Sequence, residues 1–369
     1  MQDFVIKTLS THDIEAELEK IGFDSTYRAK ASDKYCYKTL KIYDLSLPQA
    51  NILKQTALSF GADCGVHRDV LVSKVEKTDV IIGGSISQLY KICEKLKQQP
   101  FSLKNLAEQI EFQLKPQKRK TKLVGILNLT PDSFSKDGIM TSKEAIEHLY
   151  QLIEDGADMI DIGAESTRPN SKPVDPSEQI KRLSLVMNEV KNIQIPVSVD
   201  TKSAEVARYA LENGVKIIND VSGLDYDLKM VDVIAEYKAS IVIQHSTGAS
   251  ENVESYSDVV ENVYKYLYNK VNFVKSKGIN DIIIDVGIGF GKSKEDNFEL
   301  LDRIEEFYSL GQPLMVGVSR KSLLGVNEDN NDLKDSLTLA LNYPLMLKKV
   351  DYLRVHNIKI HKQLLNSVI

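Results

Sequence analysis

Short apolar runs alternate with longer amphipathic segments along the last two-thirds of the chain. The short runs are rich in Val, Ile and Leu, whereas segments such as 143–154, 203–213 and 258–277 place apolar residues at helical spacing. Apolar strands separated by helices are typical of a parallel sheet that is buried on both faces. The eight predicted strands span residues 123–129, 159–163, 196–200, 216–220, 240–245, 281–285, 313–319 and 351–356.

The number of these units selects one architecture. Eight β/α units in about 250 residues is the usual size of a (β/α)8 TIM barrel, whereas an open doubly wound sheet more often has five or six strands. The first strand is followed by Thr130 and Pro131 rather than by the glycine fingerprint of a dinucleotide-binding sheet. We therefore predict a TIM barrel over residues 123–369.

The first part of the chain has a different pattern. Strand-like runs at about 35–43, 66–73 and 80–82 flank helical patterns at 48–60 and 85–97, which predicts a small α/β domain over residues 1–115. We predict that Gly83-Gly84-Ser85 forms a turn, and an anion-binding site there is the less favoured alternative. A basic segment, 116–122, follows within the run QLKPQKRKTK, and we interpret it as a solvated linker.

Composition excludes some classes of protein and leaves others open. A net charge of −5 argues against a general nucleic-acid binder, and no apolar run approaches the roughly 18 residues of a membrane span. The first residues carry acids and no apolar core, so we expect a cytoplasmic protein. The three cysteines, Cys36, Cys64 and Cys93, form no CxxC pair and are predicted to be buried reduced thiols.

Polar residues stand at the ends of all eight predicted strands, which is where barrel enzymes place their chemistry. A single Asp or Asn there is commonly a helix cap or a turn residue, but Asp200, Asn219 and Asp285 together can bind the edge of a flat, nitrogen-rich ring. Arg354 and His356 share one face of the last strand and suit a diphosphate; a salt bridge from the arginine to a neighbouring carboxylate is the alternative. The loops 130–138 and 164–173 are predicted lids.

Seven motifs at successive strand ends resemble those of the dihydropteroate synthase family, in that family's order. They cover the predicted barrel from about Leu123 to its end. The motifs are Gly125-Ile-Leu-Asn-Leu-Thr-Pro-Asp-Ser-Phe134, Glu165-Ser-Thr-Arg-Pro169, Ser198-Val-Asp-Thr201, Ile218-Asn-Asp-Val221, Gly287-Ile-Gly-Phe-Gly-Lys292, Ser319-Arg-Lys-Ser322 and Arg354-Val-His356.

The resemblance implies a transferase of folate biosynthesis that joins 6-hydroxymethyl-7,8-dihydropterin diphosphate to 4-aminobenzoate, releasing diphosphate. No nucleophilic side chain is required, because Mg²⁺ and an arginine stabilise the leaving group while the arylamine attacks. Sulfonamides would compete with aminobenzoate, and many barrels of this family pair as homodimers through their outer helices. The implied ring-binding residues are Asp200, Asn219, Asp285 and Lys321. Those for diphosphate are Asn128, which also binds Mg²⁺, Arg354 and His356. Those for aminobenzoate are Phe134, Thr167, Arg168, Pro169, Phe290, Ser319 and Lys321, and Gln244 and Gly317 are further implied substrate-binding residues.

The chain departs from the family pattern at several positions. The usual Met-His-Met of strand five is Gln244-His245-Ser246, which alters the expected packing against the ring. The usual Asp-Pro-Gly has Val286 in place of proline, the glycine after Thr-Arg-Pro is Asn170, and the usual Val-His-Asp ends in Asn357. None of these changes removes a residue implied to bind substrate.

Three alternative functions remain open. A pterin-binding methyltransferase would share Asp200, Asn219 and Asp285, but would not need the cationic residues implied for diphosphate and benzoate. A non-catalytic pterin-binding scaffold is the second alternative. A fused pyrophosphokinase is the third, but the first domain lacks a paired-aspartate metal motif. We expect that domain to stabilise the barrel or to mediate assembly.

Overall fold

The computed structural model describes residues 5–9, 14–130, 141–165, 173–247, 255–326 and 330–368. The chain divides into two compact units, Met1–Gln117 and Lys118–Ile369. No helix in the described ranges is both long enough and apolar enough to cross a membrane.

The first unit is a small α/β fold around a three-stranded antiparallel sheet with strand order β1-β3-β2. Helices α3 and α4 both begin with capping boxes, at Ser46 and Ser85, which satisfy the free N–H groups of their first turns. Its elements are α1 Ile14–Lys20, α2 Arg28–Ser32, β1 Tyr37–Ser46, α3 Leu47–Ser59, β2 Asp63–Val66, β3 Lys77–Ser85, α4 Ile86–Leu96 and α5 Leu103–Leu114.

Two local predictions for this unit are wrong. The strand predicted at 66–73 ends at Val66, because a turn follows in which His67 Nδ1 accepts the N–H of Asp69 at 3.2 Å. Gly83 and Gly84 form no turn but lie within β3, paired with β1. A Cβ at position 83 would overlap the hydroxyl end of Tyr37, so the tyrosine side chain packs across this glycine.

The sequence predicted that the basic segment 116–122 is a solvated linker, but part of this segment is buried. Helix α5 continues to Leu114, and Arg119 is mostly buried within the second unit. Its guanidinium pairs with Asp351 and lies 4.0 Å from the centroid of the Tyr308 ring. The partly buried carboxylate of Asp351 explains the difference, because a charge in that position requires a partner.

The second unit is a closed barrel in which every strand pair is parallel. This confirms the predicted TIM barrel, although the strand expected at 313–319 leaves the ladder after Val316. The strands are β4 Lys122–Asn128, β5 Met159–Gly163, β6 Val197–Asp200, β7 Ile217–Asp220, β8 Ser240–Gln244, β9 Ile282–Asp285, β10 Leu314–Val316 and β11 Tyr352–Val355. The helices are α6 Ser142–Glu154, α7 Pro176–Val190, α8 Ala204–Glu212, α9 Met230–Tyr237, α10 Val259–Ser276, α11 Lys294–Asp302, α12 Asn331–Leu347 and α13 Ile358–Val368, with 3-10 turns at Ile304–Leu310 and Ser322–Leu324.

The barrel interior is built in layers because side chains alternate between the two faces of each strand. An apolar layer of six inward residues forms its own buried cluster, separate from the larger core between the strands and the outer helices. Two residues further along four of these strands, β5, β7, β8 and β9, the inward positions are polar, and β6 and β11 each add one polar residue to the same layer. The apolar layer comprises Val124, Met159, Ile217, Val242, Ile283 and Met315, and the polar layer above it comprises Asp161, Asp200, Asn219, Gln244, Asp285 and Arg354.

The cysteines all lie in the first unit and are free. Cys64 and Cys93 are buried as predicted, whereas Cys36 is only partly buried, so that part of the prediction is wrong. Burial raises the pKa of the Cys64 thiol to about 11 and that of Cys93 to about 12. Both thiols are therefore protonated at neutral pH and are poor nucleophiles.

Candidate active site

An arginine between two carboxylates forms the centre of the polar layer. Arg354 Nε donates to Asp161 Oδ2 at 2.6 Å, and an Nη2 hydrogen is donated to Asp200 Oδ2 at 3.1 Å. The Asp161 side chain is fully buried and also accepts from Ser198 Oγ at 2.5 Å and from Asn219 Nδ2 at 3.0 Å. Strands β5, β6, β7 and β11 are thus joined by one polar network.

The carboxyl groups of this layer are perturbed by their surroundings. Burial raises the pKa of Asp200 to about 7, against the opposing charge of Arg354, and the nearby charge of Asp161 adds to the increase. Burial also raises the pKa of Asp285, whose Oδ1 accepts the N–H of Gly287 at 2.7 Å. Perturbed acids that converge on one end of a barrel are typical of a functional site.

Lys321 supplies the second cation of the barrel mouth. Its Nζ donates to the carbonyl of Ile288 and lies 4.5 Å from the centroid of the Phe290 ring. Burial lowers the pKa of Lys321 to about 8, although the charge of Asp285 opposes this shift. The residue therefore titrates close to physiological pH, unlike an exposed lysine.

The ends of β10 and β11 are joined through Ser319 and His356. Ser319 Oγ lies 2.9 Å from His356 Nδ1 and accepts the backbone N–H of His356 at 3.2 Å. Gly317 lies beside Arg354, whose Cβ would be in ordinary van der Waals contact, at 3.6 Å, with a Cβ added at that glycine. The Ser319–His356 contact orients the imidazole ring.

The loop after β9 is held by a buried lysine to which the sequence assigned no role. Lys292 Nζ donates to the carbonyls of Gly287 at 2.9 Å, Phe290 at 3.0 Å and His245 at 3.3 Å. Asn297 contributes as well, because its Oδ1 accepts the N–H of Gly289 at 2.7 Å. This network fixes the backbone that carries Phe290.

Two other residues at strand ends, Asp220 and His245, have structural roles. Asp220 accepts the backbone N–H groups of Ser222 at 2.8 Å and Leu224 at 3.0 Å, so its side chain closes a turn. His245 is buried with its ring edge-on to Tyr266, at 4.8 Å between centroids. Burial lowers the pKa of His245 to about 3, so it stays neutral.

Most of the described candidate residues meet at the barrel mouth. Gln244 is inward between Asn219 and Asp285, and its Nε2 makes a long contact, 3.4 Å, with the Val221 carbonyl. Asn128 ends β4, where its Oδ1 would lie 3.2 Å from a Cβ added at Gly163. The candidate residues Phe134, Thr167, Arg168 and Pro169, together with most of both predicted lids, lie outside the described residues.

Sequence reasoning missed two acids. Asp161 was noticed at a strand end but given no role, although its position two residues above an inward apolar side chain pointed into the barrel. Asp335 lies on α12, outside any strand end, and pairs with Arg320. No sequence pattern distinguished it from an ordinary helix-surface acid.

Comparisons with known proteins decide the family. Residues 124–356 match the model of the family described as pterin binding enzymes. The chain belongs to this family. A relative from Helicobacter pylori, named bifunctional dihydropteroate synthase/dihydropteroate reductase, is 33% identical over 98% of this chain and 97% of its own length. The dihydropteroate synthase of Streptococcus pyogenes is 39% identical over 66% of this chain and 92% of its own length.

Other matches agree on the barrel. The structure of Xanthomonas albilineans dihydropteroate synthase with 4-aminobenzoic acid is 33% identical, with a TM-score of 0.63, over 67% of this chain and 92% of that one. Two longer relatives, from Halobacterium salinarum and Haloferax volcanii, match 84% of this chain, which spans only 40% of their length. The family inferred from the seven motifs is confirmed: this pterin-binding barrel is an enzyme of the dihydropteroate synthase group.

Proposed function

We propose that the barrel joins 6-hydroxymethyl-7,8-dihydropterin diphosphate to 4-aminobenzoate, giving 7,8-dihydropteroate and diphosphate, in the cytoplasm. The observation that carries the proposal is the polar layer itself, in which Asp161, Asp200 and Asn219 are joined to Arg354 in one network. Such a layer combines acceptors for a ring with donors for an anion at one barrel mouth.

The dihydropterin ring is proposed to bind on the side of the layer formed by β6 to β9. Asp200, Asn219, Gln244 and Asp285 are inward on these adjacent strands, and they offer carboxylate acceptors and amide donors. The buried carboxylates also stabilise positive charge that develops on the exocyclic methylene as its bond to the diphosphate breaks. Lys321, beside Asp285, adds a donor to the same side.

Arg354 retains donors for the diphosphate although it is paired with two acids. A guanidinium has five N–H groups. Only the Nε hydrogen and one Nη2 hydrogen are used by the described residues. The other three N–H groups can bind phosphate oxygens. His356, which contacts Ser319, directly follows the strand that carries Arg354.

The donor set at the end of β4 fits Mg²⁺. Asn128 offers a neutral amide oxygen, a ligand type that Mg²⁺ takes together with water and substrate phosphates. Within the described ranges no cluster of three His, Cys, Asp or Glu residues could form an all-protein metal site. Water and the diphosphate are proposed as the further ligands. A bound Mg²⁺ would add positive charge beside the departing diphosphate.

Aminobenzoate is proposed to bind beside the Phe290–Lys321 pair, and the family resemblance adds Thr167, Arg168 and Pro169 to the residues that bind it. The Lys321 ammonium over the Phe290 ring gives a cationic and aromatic wall suited to a benzoate. The arylamine then attacks the methylene without a protein nucleophile, so positioning dominates the catalysis. Sulfonamides, which mimic aminobenzoate, are expected to compete at this side.

The decisive experiment measures diphosphate release by the full chain with Mg²⁺ and both substrates. Release should require both, and Arg354→Ala should mainly weaken use of the pterin diphosphate, whereas Lys321→Ala should weaken use of both substrates. If folded wild-type protein releases no diphosphate, the synthase proposal fails. Methyl transfer from a folate to a corrinoid protein would then be the reaction to assay.

The first unit favours a second candidate function, reduction of dihydropteroate. Relatives named only dihydropteroate synthase align with 65% or 66% of this chain. The Helicobacter pylori relative, whose name also includes dihydropteroate reductase, aligns with 98% of it. The reaction would add a hydride to carbon and a proton to nitrogen across the remaining imine bond of the product. A reduced nicotinamide or a reduced flavin would have to donate that hydride.

The test is to incubate the full chain with 7,8-dihydropteroate and each donor and to measure tetrahydropteroate. An assay is needed because the two longer relatives also match 84% of this chain, although their names include no reductase activity. Absence of reduction with both donor classes would leave the first unit with the stabilising or assembly role expected from its sequence.

A further inference from the structure

The residue between Ser319 and Lys321 has an unusual backbone conformation. Arg320 has a φ of 57°, in the left-handed region that side chains other than glycine rarely adopt. Its backbone N–H donates to Thr338 Oγ on α12 at 3.2 Å. Such strain persists only where surrounding contacts determine it, and here it sets the directions of Ser319 and Lys321.

One carboxylate on α12 holds this loop and the loop after β11 together. Asp335 is buried and accepts from Arg320 Nε at 2.7 Å and from Arg320 Nη2 at 2.8 Å, which is a bidentate pair. Its Oδ2 also accepts from Asn357 Nδ2 at 3.1 Å. Asn357 directly follows His356, so a single side chain restrains the segments that carry Lys321 and His356.

Asn357 is also one of the positions where the chain departs from its family. The motif that Arg354-Val355-His356 resembles continues with an aspartate, whereas this chain has an amide that donates to Asp335. The backbone N–H of Ile360 contacts Asn357 Oδ1 at 3.4 Å, so position 357 also borders the first turn of α13.

We propose that Asp335 is a positioning residue of the synthase site, which holds the segments that carry Lys321 and His356 through its contacts with Arg320 and Asn357. The inference rests on the proposed synthase function. Its physical requirement is that one of positions 335 and 357 is charged and the other is an amide. Two carboxylates about 3 Å apart would repel each other, whereas two amides would leave the buried side of Arg320 without a counter-ion.

A reciprocal exchange in the full-length protein tests this requirement. The variants are Asp335→Asn, Asn357→Asp and the double variant, and the readouts are kcat, KM for each substrate, and the thermal midpoint. Each single change should lower kcat/KM for the pterin diphosphate about tenfold or more, because Lys321 and His356 lose their fixed geometry. The double variant should recover most of that loss, since it restores one acid and one amide.

Glu236→Gln is the matched control. Glu236 forms a bidentate pair with Arg208, at 2.8 and 2.7 Å, between α8 and α9 on the exposed outer surface. Its replacement should leave kcat/KM unchanged. A purely structural role for Asp335 predicts a lower thermal midpoint in Asp335→Asn with unchanged kcat/KM below that temperature, whereas a positioning role predicts reduced kcat/KM in protein that remains folded.

The outcomes separate this inference from the proposed function. An inactive wild-type chain would remove the synthase proposal itself. With an active wild type, the positioning role is overturned if Asp335→Asn keeps the wild-type kcat/KM. It is also overturned if kcat/KM of the double variant is no higher than that of the less active single variant. If Asp335→Asn does not fold, Asn357→Asp and the double variant give the same comparison.

Discussion

Replacing Asp161 with asparagine is the sharpest test of the polar layer. The substitution keeps the size of the side chain and removes one buried negative charge. Asp161 accepts from Ser198, Asn219 and Arg354, and no part of its side chain is exposed. The change therefore acts through charge and hydrogen bonding and creates no cavity.

The magnitude follows from the partners that remain. Breaking a buried ion pair by removing one partner costs about 3–5 kcal/mol, because the other charge is left uncompensated. Here Arg354 keeps Asp200 at 3.1 Å, so part of that cost is avoided. We expect the free energy of unfolding to fall by about 2–4 kcal/mol, which corresponds to a decrease in the thermal midpoint of roughly 5–15 °C for a unit of this size.

The same change should alter the pH dependence of activity. Asp161 is one cause of the raised pKa of Asp200, and without it Arg354 can interact with Asp200 alone. Both effects lower the pKa of Asp200 from its value of about 7. The acidic limb of the profile of kcat/KM for the pterin diphosphate should therefore move to lower pH, and kcat/KM at its maximum should fall because Asn219 and Arg354 lose their shared anchor.

Asp351→Asn provides the matched control at the opposite end of the barrel. Asp351 also pairs with an arginine, Arg119, and accepts the N–H of Leu314 at 2.8 Å. Its replacement should lower the thermal midpoint without moving the acidic limb. The reasoning about the polar layer is refuted if Asp161→Asn keeps the wild-type midpoint and pH profile, or if Asp351→Asn moves the limb equally.

Metal binding, the titration of Lys321 and the packing at two glycines can each be tested. Chelation of divalent cations should abolish diphosphate release and added Mg²⁺ should restore it, with Asn128→Ala requiring about tenfold more Mg²⁺. Lys321, with a pKa lowered to about 8, is protonated below that pH, so kcat/KM should fall as pH rises through about 8, and Lys321→Met should abolish this limb. Gly287→Ala should destabilise the barrel by at least about 2 kcal/mol, because a Cβ at its positive φ would overlap the carbonyl of His245. Gly278→Ala, also at positive φ but with open space around it, should cost about 1 kcal/mol in denaturant titration.

The architecture could be predicted because two periodicities were present in the sequence. The helical spacing of apolar residues and its alternation with short apolar strands gave the closed parallel barrel, and the strand ends gave Asp200, Asn219, Gln244 and Asp285. Both are local properties of the chain. The position of a strand end in a barrel then determines that its polar residue lies at the mouth.

What the sequence did not reveal depends on contacts between distant elements. Asp161 was visible at a strand end, but only the closed barrel shows that Arg354, on the last strand, reaches it. The pairing of Asp335 with Arg320 depends on a left-handed residue and on the packing of α12, neither of which has a sequence signal. Arg119 was interpreted as solvated because its partner Asp351 is remote in sequence.

The charge of the described barrel mouth links the ring site to the expected metal. Three buried carboxylates, Asp161, Asp200 and Asp285, face two cations, Arg354 and Lys321. With all five ionised the mouth carries a net negative charge, which favours a developing cation at the methylene but disfavours a diphosphate. A divalent cation beside Asn128 would reverse that balance at the diphosphate end and leave the carboxylates at the ring end unchanged. Binding of the pterin diphosphate should therefore depend strongly on Mg²⁺, whereas binding of a pterin without phosphates should not.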